Sequence, residues 1–147
     1  MVDTSMRPRQ LEIPSLLDTL VKEHEEVRTL LKDLSALISD NKFLVAADRI
    51  KAFRPYIDQH VIDEEAKVLK ILLDAYGREK SARAIAVFQE HREIHQLIRE
   101  LQETIYISSD KSREVRDALE DLMRRHFEAE ESWIFPWVLE TYRKTTV

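Results

Sequence analysis

Apolar residues recur every three or four positions along four stretches of the chain, which is the spacing of one face of an α-helix. In the first stretch they stand at positions 17, 20, 21, 27, 30, 31, 34, 37 and 38. The pattern predicts four helices, over about 16–38, from a turn at Asp40 and Asn41 to Gly77, over about 80–106 and over about 113–143. Because the connections are short, we expect an all-α fold, an up-down-up-down antiparallel four-helix bundle.

Local signals suggest where these helices begin, end and bend. Residues 1–13 lack periodicity and are interpreted as a loose N-terminal arm, followed by a single domain over 14–147. Ser15 after Pro14 is interpreted as an N-cap. Pro55 predicts a kink or a break in the second helix, and Gly77 is expected to cap its end.

Composition narrows the possible functions. The chain has one Gly, four Pro and 35% charged residues, which favours helices over sheet. It has no cysteine, so thiolate-ligated metal sites and disulfides are excluded. The formal net charge is −5 and Lys and Arg are scattered among acids, so we expect neither nucleic acid nor a membrane as partner. No signal or spanning segment is apparent, and a cytoplasmic protein is expected.

All five histidines lie on the predicted apolar faces, together with two glutamates. A histidine and a glutamate four positions later lie about 40° apart and roughly 6 Å along one helical face. Such a set could form a hydrogen-bonded polar core, but burying unpartnered glutamates costs several kcal/mol each, so a bound cation is favoured. The candidate metal ligands are His24, His60, Glu64, His91, His95, His126 and Glu130.

The chain is internally duplicated. Residues 60–76 align with residues 126–142 at an offset of 66, which superimposes His60 on His126 and Glu64 on Glu130. At an offset of 67, the pair Glu23-His24 falls on Glu90-His91. We therefore expect two helical hairpins related by an approximate two-fold axis.

The number of candidate ligands points to two metal ions. Seven side chains are too many for one ion, and zinc alone would take four. Two octahedral ions offer roughly twelve positions, of which five imidazoles, two bridging carboxylates and one bridging solvent oxygen fill about eleven. One position stays open. Imidazole and carboxylate without thiolate suit iron or manganese.

These residues resemble the hemerythrins, and more closely the hemerythrin-like HHE cation-binding domains. The resemblance covers about 15–143 and rests on a lone His in the first helix, His-x3-Glu in the second, His-x3-His in the third and His followed by an acid in the fourth. It implies a solvent-bridged, non-haem diiron centre, with manganese or zinc as possible substitutes. One iron would take His91, His95 and His126, the other His24 and His60, with Glu64 and Glu130 bridging. In oxygen-carrying hemerythrins the last acid stands five residues after its histidine, which would select Glu131. The internal repeat of this chain favours Glu130, four residues after His126.

A ligand pocket beside the open position is expected from helical spacing. Arg28 is the repeat counterpart of His95 and would point toward the iron with two histidines, or else extend along the bundle to solvent. Tyr56 could reach the centre as a proton donor or pack in the core. The remaining pocket residues are Leu122, Met123 and Phe127, and a solvated outer face is expected for Glu25, Glu26, Glu65, Glu128 and Glu131.

Three functions fit such a centre. The first is a protein that binds dioxygen or a related small ligand, nitric oxide or peroxide, for sensing, storage or delivery. The second is a diiron oxidoreductase that consumes peroxide or nitric oxide. The third is an iron-responsive metal-binding module, since metal binding and folding are linked. The sequence leaves open whether the protein is an enzyme, and its oligomeric state.

Overall fold

Four long helical rods make up the structure, a computed structural model that describes residues 6–145. The all-α prediction is confirmed: every described element is helical, and the rods form a four-helix bundle. The first and third rods are single helices, whereas the second and fourth each contain a short π-helical turn. The elements are α1 (Ile13–Ser39), α2 (Phe43–Asp63), a first π turn (Glu64–Val68), α3 (Leu69–Lys80), α4 (Ala82–Thr104), α5 (Ser109–Ala129), a second π turn (Glu130–Ile134) and α6 (Phe135–Thr145).

Two predicted helix starts are wrong. Helix α1 begins at Ile13 with Pro14 in its first turn, where a missing N–H removes no helical hydrogen bond, so Ser15 is not the N-cap. Helix α5 begins at Ser109, four residues before the predicted start. The Ser108 side chain accepts a hydrogen bond from the backbone N–H of Lys111 and so caps this helix.

The sequence predicts that the second rod kinks or breaks at Pro55 and ends at Gly77. Helix α2 continues through Pro55, so of these two alternatives the break does not occur. Gly77 has φ 77° and ψ 176° inside α3, a backbone conformation that interrupts a helix and that glycine adopts without steric strain. The regular part of the rod therefore ends at Gly77, and the following residues lead into α4.

The two π turns occupy equivalent places in the two halves of the duplicated chain. One begins at Glu64 and the other at Glu130, the two glutamates of the repeated His-x3-Glu motif. A π turn holds more residues than an α turn and changes the direction of the side chains within it, which is why such turns concentrate at functional sites. In each half, the turn begins at the glutamate of the candidate ligand pair.

A layer of buried polar side chains divides the core into two apolar clusters. One cluster includes Ile38, Ile105 and Val115, and the other includes Leu16 and Leu72. The polar layer between them contains all of the His-x3-Glu residues. Within residues 6–145, none of the helices combines the length and the apolar character that crossing a bilayer requires.

The predicted N-terminal arm is only partly described, since its residues 1–5 lie outside the described part of the chain. Residues 6–12 are not helical, but they are not loose. The Lys67 side chain donates hydrogen bonds to the backbone carbonyls of Arg9 and Leu11, at 2.7 and 2.6 Å. This segment is therefore held against the π turn of the second rod by Lys67.

Candidate metal centre

Six of the seven predicted ligands come together in the buried polar layer. They form two groups whose ligand atoms lie within 4.8 Å of one another in each group. Both groups contain Glu64 and Glu130. The first group adds His24 from α1 and His60 from α2, and the second adds His91 from α4 and His126 from α5. The arrangement reproduces the two-fold repeat of the sequence, with two histidines for each half and two shared carboxylates.

Several atoms of this cluster are buried without a hydrogen-bond partner. The two carboxylate oxygens of Glu130 are fully buried and have none, and the Nε2 atoms of three histidines share this state. Buried polar atoms without a partner cost free energy, and a bound cation would be a partner for them. Atoms in this state are Nε2 of His24, His60 and His126, Oε2 of Glu64, and Oε1 and Oε2 of Glu130. Imidazole nitrogen and carboxylate oxygen are metal-ligating atoms, so the residues present fit a bound metal cation.

Each shared carboxylate faces both halves of the cluster. Oε1 of Glu130 lies 3.3 Å from Nε2 of His24 and 3.2 Å from Nε2 of His126. Glu64 places Oε1 2.9 Å from Nε2 of His91 and Oε2 3.5 Å from Nε2 of His60. Each shared carboxylate therefore lies beside histidines of both hairpins.

Each of these four histidines also has a carboxylate on the far side of its ring. The Nδ1 atom lies 2.7–3.0 Å from that carboxylate, which fixes the tautomer and the orientation of the ring and strengthens Nε2 as a donor to a metal. Two of the pairs join neighbouring helices within a hairpin, and two join opposite hairpins. The pairs are His24 with Glu131, His60 with Glu23, His91 with Glu65, and His126 with Glu90.

The outer carboxylates correct one part of the sequence interpretation. Glu65 and Glu131, expected on a solvated face, hold His91 and His24 instead. Each π turn begins at the glutamate of a His-x3-Glu motif. This first acid faces the centre, while the next one reaches a histidine of the other hairpin. Glu23 and Glu90 were not singled out as site residues. Their repetition directly before His24 and His91 was the signal that could have identified them.

The charges of the cluster shift the pKa values of its members. Burial opposes protonation of His60, but the charge of Glu64 and hydrogen bonds to neighbouring acids raise its pKa to about 9. Burial also opposes protonation of His91, where hydrogen bonds to Glu64 and Glu65 raise the pKa to about 9. Burial and the charge of His60 lower the pKa of His24 to about 4. Without a metal, protons on His60 and His91 therefore take over part of the role of the cation.

His95 is the predicted ligand that the structure leaves outside both groups. Its Nδ1 lies 3.7 Å from Oδ1 of Asp58 on α2, and its Nε2 is buried without a hydrogen-bond partner. Burial lowers its pKa, and Asp58 acts in the opposite direction. His95 lies one helical turn after His91, and its ring lies beside Asp58 of α2.

Two predicted pocket residues, Arg28 and Tyr56, do not face the cluster. The Arg28 guanidinium is paired with Glu25 and lies 2.8 Å from Glu131, with its side chain 38% exposed. It stacks over the Phe127 ring at 5.4 Å and so covers the outside of that ring. Tyr56 is half-buried and its hydroxyl donates to the Glu26 carboxylate near the surface. Of the alternatives that the sequence leaves open, Arg28 therefore extends toward solvent, and Tyr56 does not reach the centre.

The apolar part of the predicted pocket does lie against the cluster. A small cavity of about 20 Å³ is bounded by Met123 and Phe127 on one side and by His60, His91 and other members of the cluster on the other. Phe127 also stacks on His24, with ring centroids 4.0 Å apart. Leu122 is buried in the neighbouring apolar cluster and does not line this cavity.

Comparison with protein families places the site in a known context. The family model described as Hemerythrin HHE cation binding domain matches residues 15–138, which is most of the chain and includes the whole candidate centre. Comparison with curated proteins and with solved structures gave no match. The matched family is defined by cation binding, which is the property that the buried His and Glu cluster supports. The chain therefore belongs to the hemerythrin HHE cation-binding domain family.

Proposed function

We propose that this protein binds two iron ions in the buried cluster and takes a small ligand, dioxygen, nitric oxide or peroxide, at an open coordination position for sensing, storage or delivery. The observation that carries the proposal is the set of buried, unpartnered imidazole nitrogens and carboxylate oxygens shared between two adjoining groups. One cation in each group would complete these atoms. The donor set contains nitrogen and oxygen without thiolate, which suits iron or manganese.

Each residue of the cluster would have a distinct role in binding the two ions. His24 and His60 would hold one ion and His91 and His126 the other, while the two shared glutamates bridge them. Iron, when bound, supplies a redox-active position at which a small oxidant can bind. The outer carboxylates keep the imidazole rings in place, which maintains the geometry of the donors when a ligand binds or leaves. Glu64 and Glu130 are proposed as the bridging residues because both groups contain them.

The cavity beside the cluster supports a small ligand. Its volume of about 20 Å³ has room for roughly one water-sized molecule, and Met123 and Phe127 provide an apolar wall. A space of this size favours a diatomic ligand over a larger organic substrate.

The proposal is tested by loading the purified protein with iron, counting the metal, reducing it without oxygen and then admitting oxygen while the visible spectrum is recorded. We expect an absorption band that appears with oxygen and disappears when oxygen is removed. Glu64→Ala should abolish the band, whereas Glu128→Ala, an exposed acid on α5, should leave it unchanged. Irreversible oxidation, or sustained consumption of peroxide, would identify a diiron oxidoreductase instead.

A further inference from the structure

Arg9 connects the N-terminal segment to one histidine of the centre. Its backbone N–H and its Nε donate to the two carboxylate oxygens of Asp63, at 2.8 and 2.6 Å, and its Nη2 donates to Oε1 of Glu23 at 2.7 Å. The same Glu23 oxygen lies 3.0 Å from Nδ1 of His60. One guanidinium thus spans two carboxylates, and one of these holds a candidate metal ligand.

Other contacts show that this segment is docked on the bundle. Lys67 holds the carbonyls of Arg9 and Leu11, and the Gln59 amide donates to the Arg7 carbonyl at 2.9 Å. The Asp63 side chain is fully buried, so its charge is matched inside the protein by Arg9 rather than by water. A charged group in such a place is held in one geometry.

The other half of the duplicated chain lacks every part of this arrangement except the carboxylate. Glu90 holds His126 as Glu23 holds His60, but no Lys or Arg within residues 6–145 lies in ion-pair distance of Glu90. Its side chain is 27% exposed, against 8% for Glu23. The counterpart of Asp63 at the repeat offset of 66 is Ala129. The two halves therefore have the same candidate ligands and the same carboxylate on one histidine, and they differ in whether an arginine holds that carboxylate.

We infer that Arg9 is a positioning residue that makes the two metal positions unequal, by fixing the Glu23 carboxylate on His60 in one half while Glu90 is left free to move on His126 in the other. The inference rests on the proposed dinuclear centre. A fixed carboxylate keeps the His60 ring aligned when no ion is bound, so less order has to be created on binding. The position that contains His24 and His60 then holds its ion more tightly than it would without the N-terminal segment.

The test uses a metal that undergoes no redox change. The metal-free protein is titrated with Zn²⁺ by calorimetry, and the release of bound Zn²⁺ to a chelator is followed over time. We expect two ions per chain in the wild type. In Arg9→Leu we expect one of the two affinities to fall by up to about tenfold, the low end of the effect of losing a direct partner of a ligand, because Arg9 acts on His60 only through Glu23; the other affinity should stay within about twofold.

A second variant guards against misfolding, because Arg9→Leu leaves the buried Asp63 charge without its partner. Arg9→Leu combined with Asp63→Ala copies the arrangement of the second half, which has Ala129 at the equivalent place. It should fold and show the same selective loss. Arg124→Leu, an exposed arginine paired with Asp121, is the matched control and should bind both ions as the wild type does.

The outcomes separate the two proposals. If the double variant binds both ions as tightly as the wild type, or loses affinity equally at both positions, Arg9 does not distinguish the halves and the inference is wrong. If the wild type itself binds fewer than two ions, the proposed dinuclear centre fails first. Chelator release gives a second readout, because removing Arg9 should speed up one release phase and leave the other unchanged. A double variant in which neither phase changes, or in which both phases change equally, would count against the inference.

Discussion

Replacing Glu130 by leucine should change the stability of the metal-free and the metal-loaded protein in opposite directions. In the metal-free protein, both Glu130 oxygens are buried without a hydrogen-bond partner. Relieving this unsatisfied burial with an apolar side chain of similar volume should stabilise that form by about 1–3 kcal/mol. For a chain of this size, such a gain corresponds to a rise in melting temperature of about 3–9 °C.

In the metal-loaded protein the same substitution removes a ligand from both positions. Oε1 of Glu130 lies at nearly equal distances, 3.3 and 3.2 Å, from Nε2 of His24 and of His126. We therefore expect the metal content of Glu130→Leu to fall below one ion per chain, and the gain in melting temperature on adding metal to disappear. The assays are metal analysis after desalting and thermal unfolding with and without chelator.

Glu131→Leu is the matched control, since Glu131 is the next residue and contacts only Nδ1 of His24 within the cluster. It should keep two ions at saturating metal while one affinity falls about tenfold to hundredfold, or about 1.4–2.7 kcal/mol. If Glu131→Leu empties the site and Glu130→Leu does not, the assignment of the bridging carboxylate is wrong. If Glu130→Leu lowers the melting temperature of the metal-free protein, the argument from unsatisfied burial is wrong.

Three further predictions concern the surroundings of the centre. The pKa values of His60 and His91 are raised to about 9 in the folded metal-free protein, so the stabilisation they provide is complete below pH 6.5 and is lost as the pH rises through 9. The free energy of unfolding, measured with urea, should be a few kcal/mol larger at pH 6 than at pH 9, and equal values would refute the protonated state. Arg28→Leu should change azide affinity of the iron-loaded protein by less than about threefold, because its guanidinium is held at the surface by Glu131; a larger loss would place it in the ligand pocket. His95→Ala should keep both ions at saturating metal, which metal analysis can check, since its ring lies outside both ligand groups.

The sequence predicted the parts of the centre that depend on periodicity and repetition. Helical spacing places His60 with Glu64 and His126 with Glu130 on one face whatever the details of packing, and the repeat distinguishes Glu130 from Glu131. The structure brings both pairs together as expected. The same reasoning yields the four-helix bundle, because alternating apolar faces and short connections leave few other ways to bury the core.

What the sequence did not predict depends on where side chains end after leaving the helix. Arg28 is the repeat counterpart of His95, but its long side chain turns outward to Glu131, which lies in the second π turn. Arg9 contacts Asp63, 54 positions away, and no local pattern marks such a pairing. The start of α5 was missed because a lone serine cap in a polar stretch is a weak signal.

The central claim, a centre of two metal ions held by shared carboxylates, is tested most directly by titrating the metal-free protein with Fe²⁺ in the absence of oxygen. Free Fe²⁺ is measured after each addition, and protons released from the protein are measured in a weakly buffered solution. We predict saturation at two ions per chain with release of protons near pH 7, because His60 and His91 must lose theirs to bind metal. Saturation at one ion per chain, or binding that never saturates, would contradict the account.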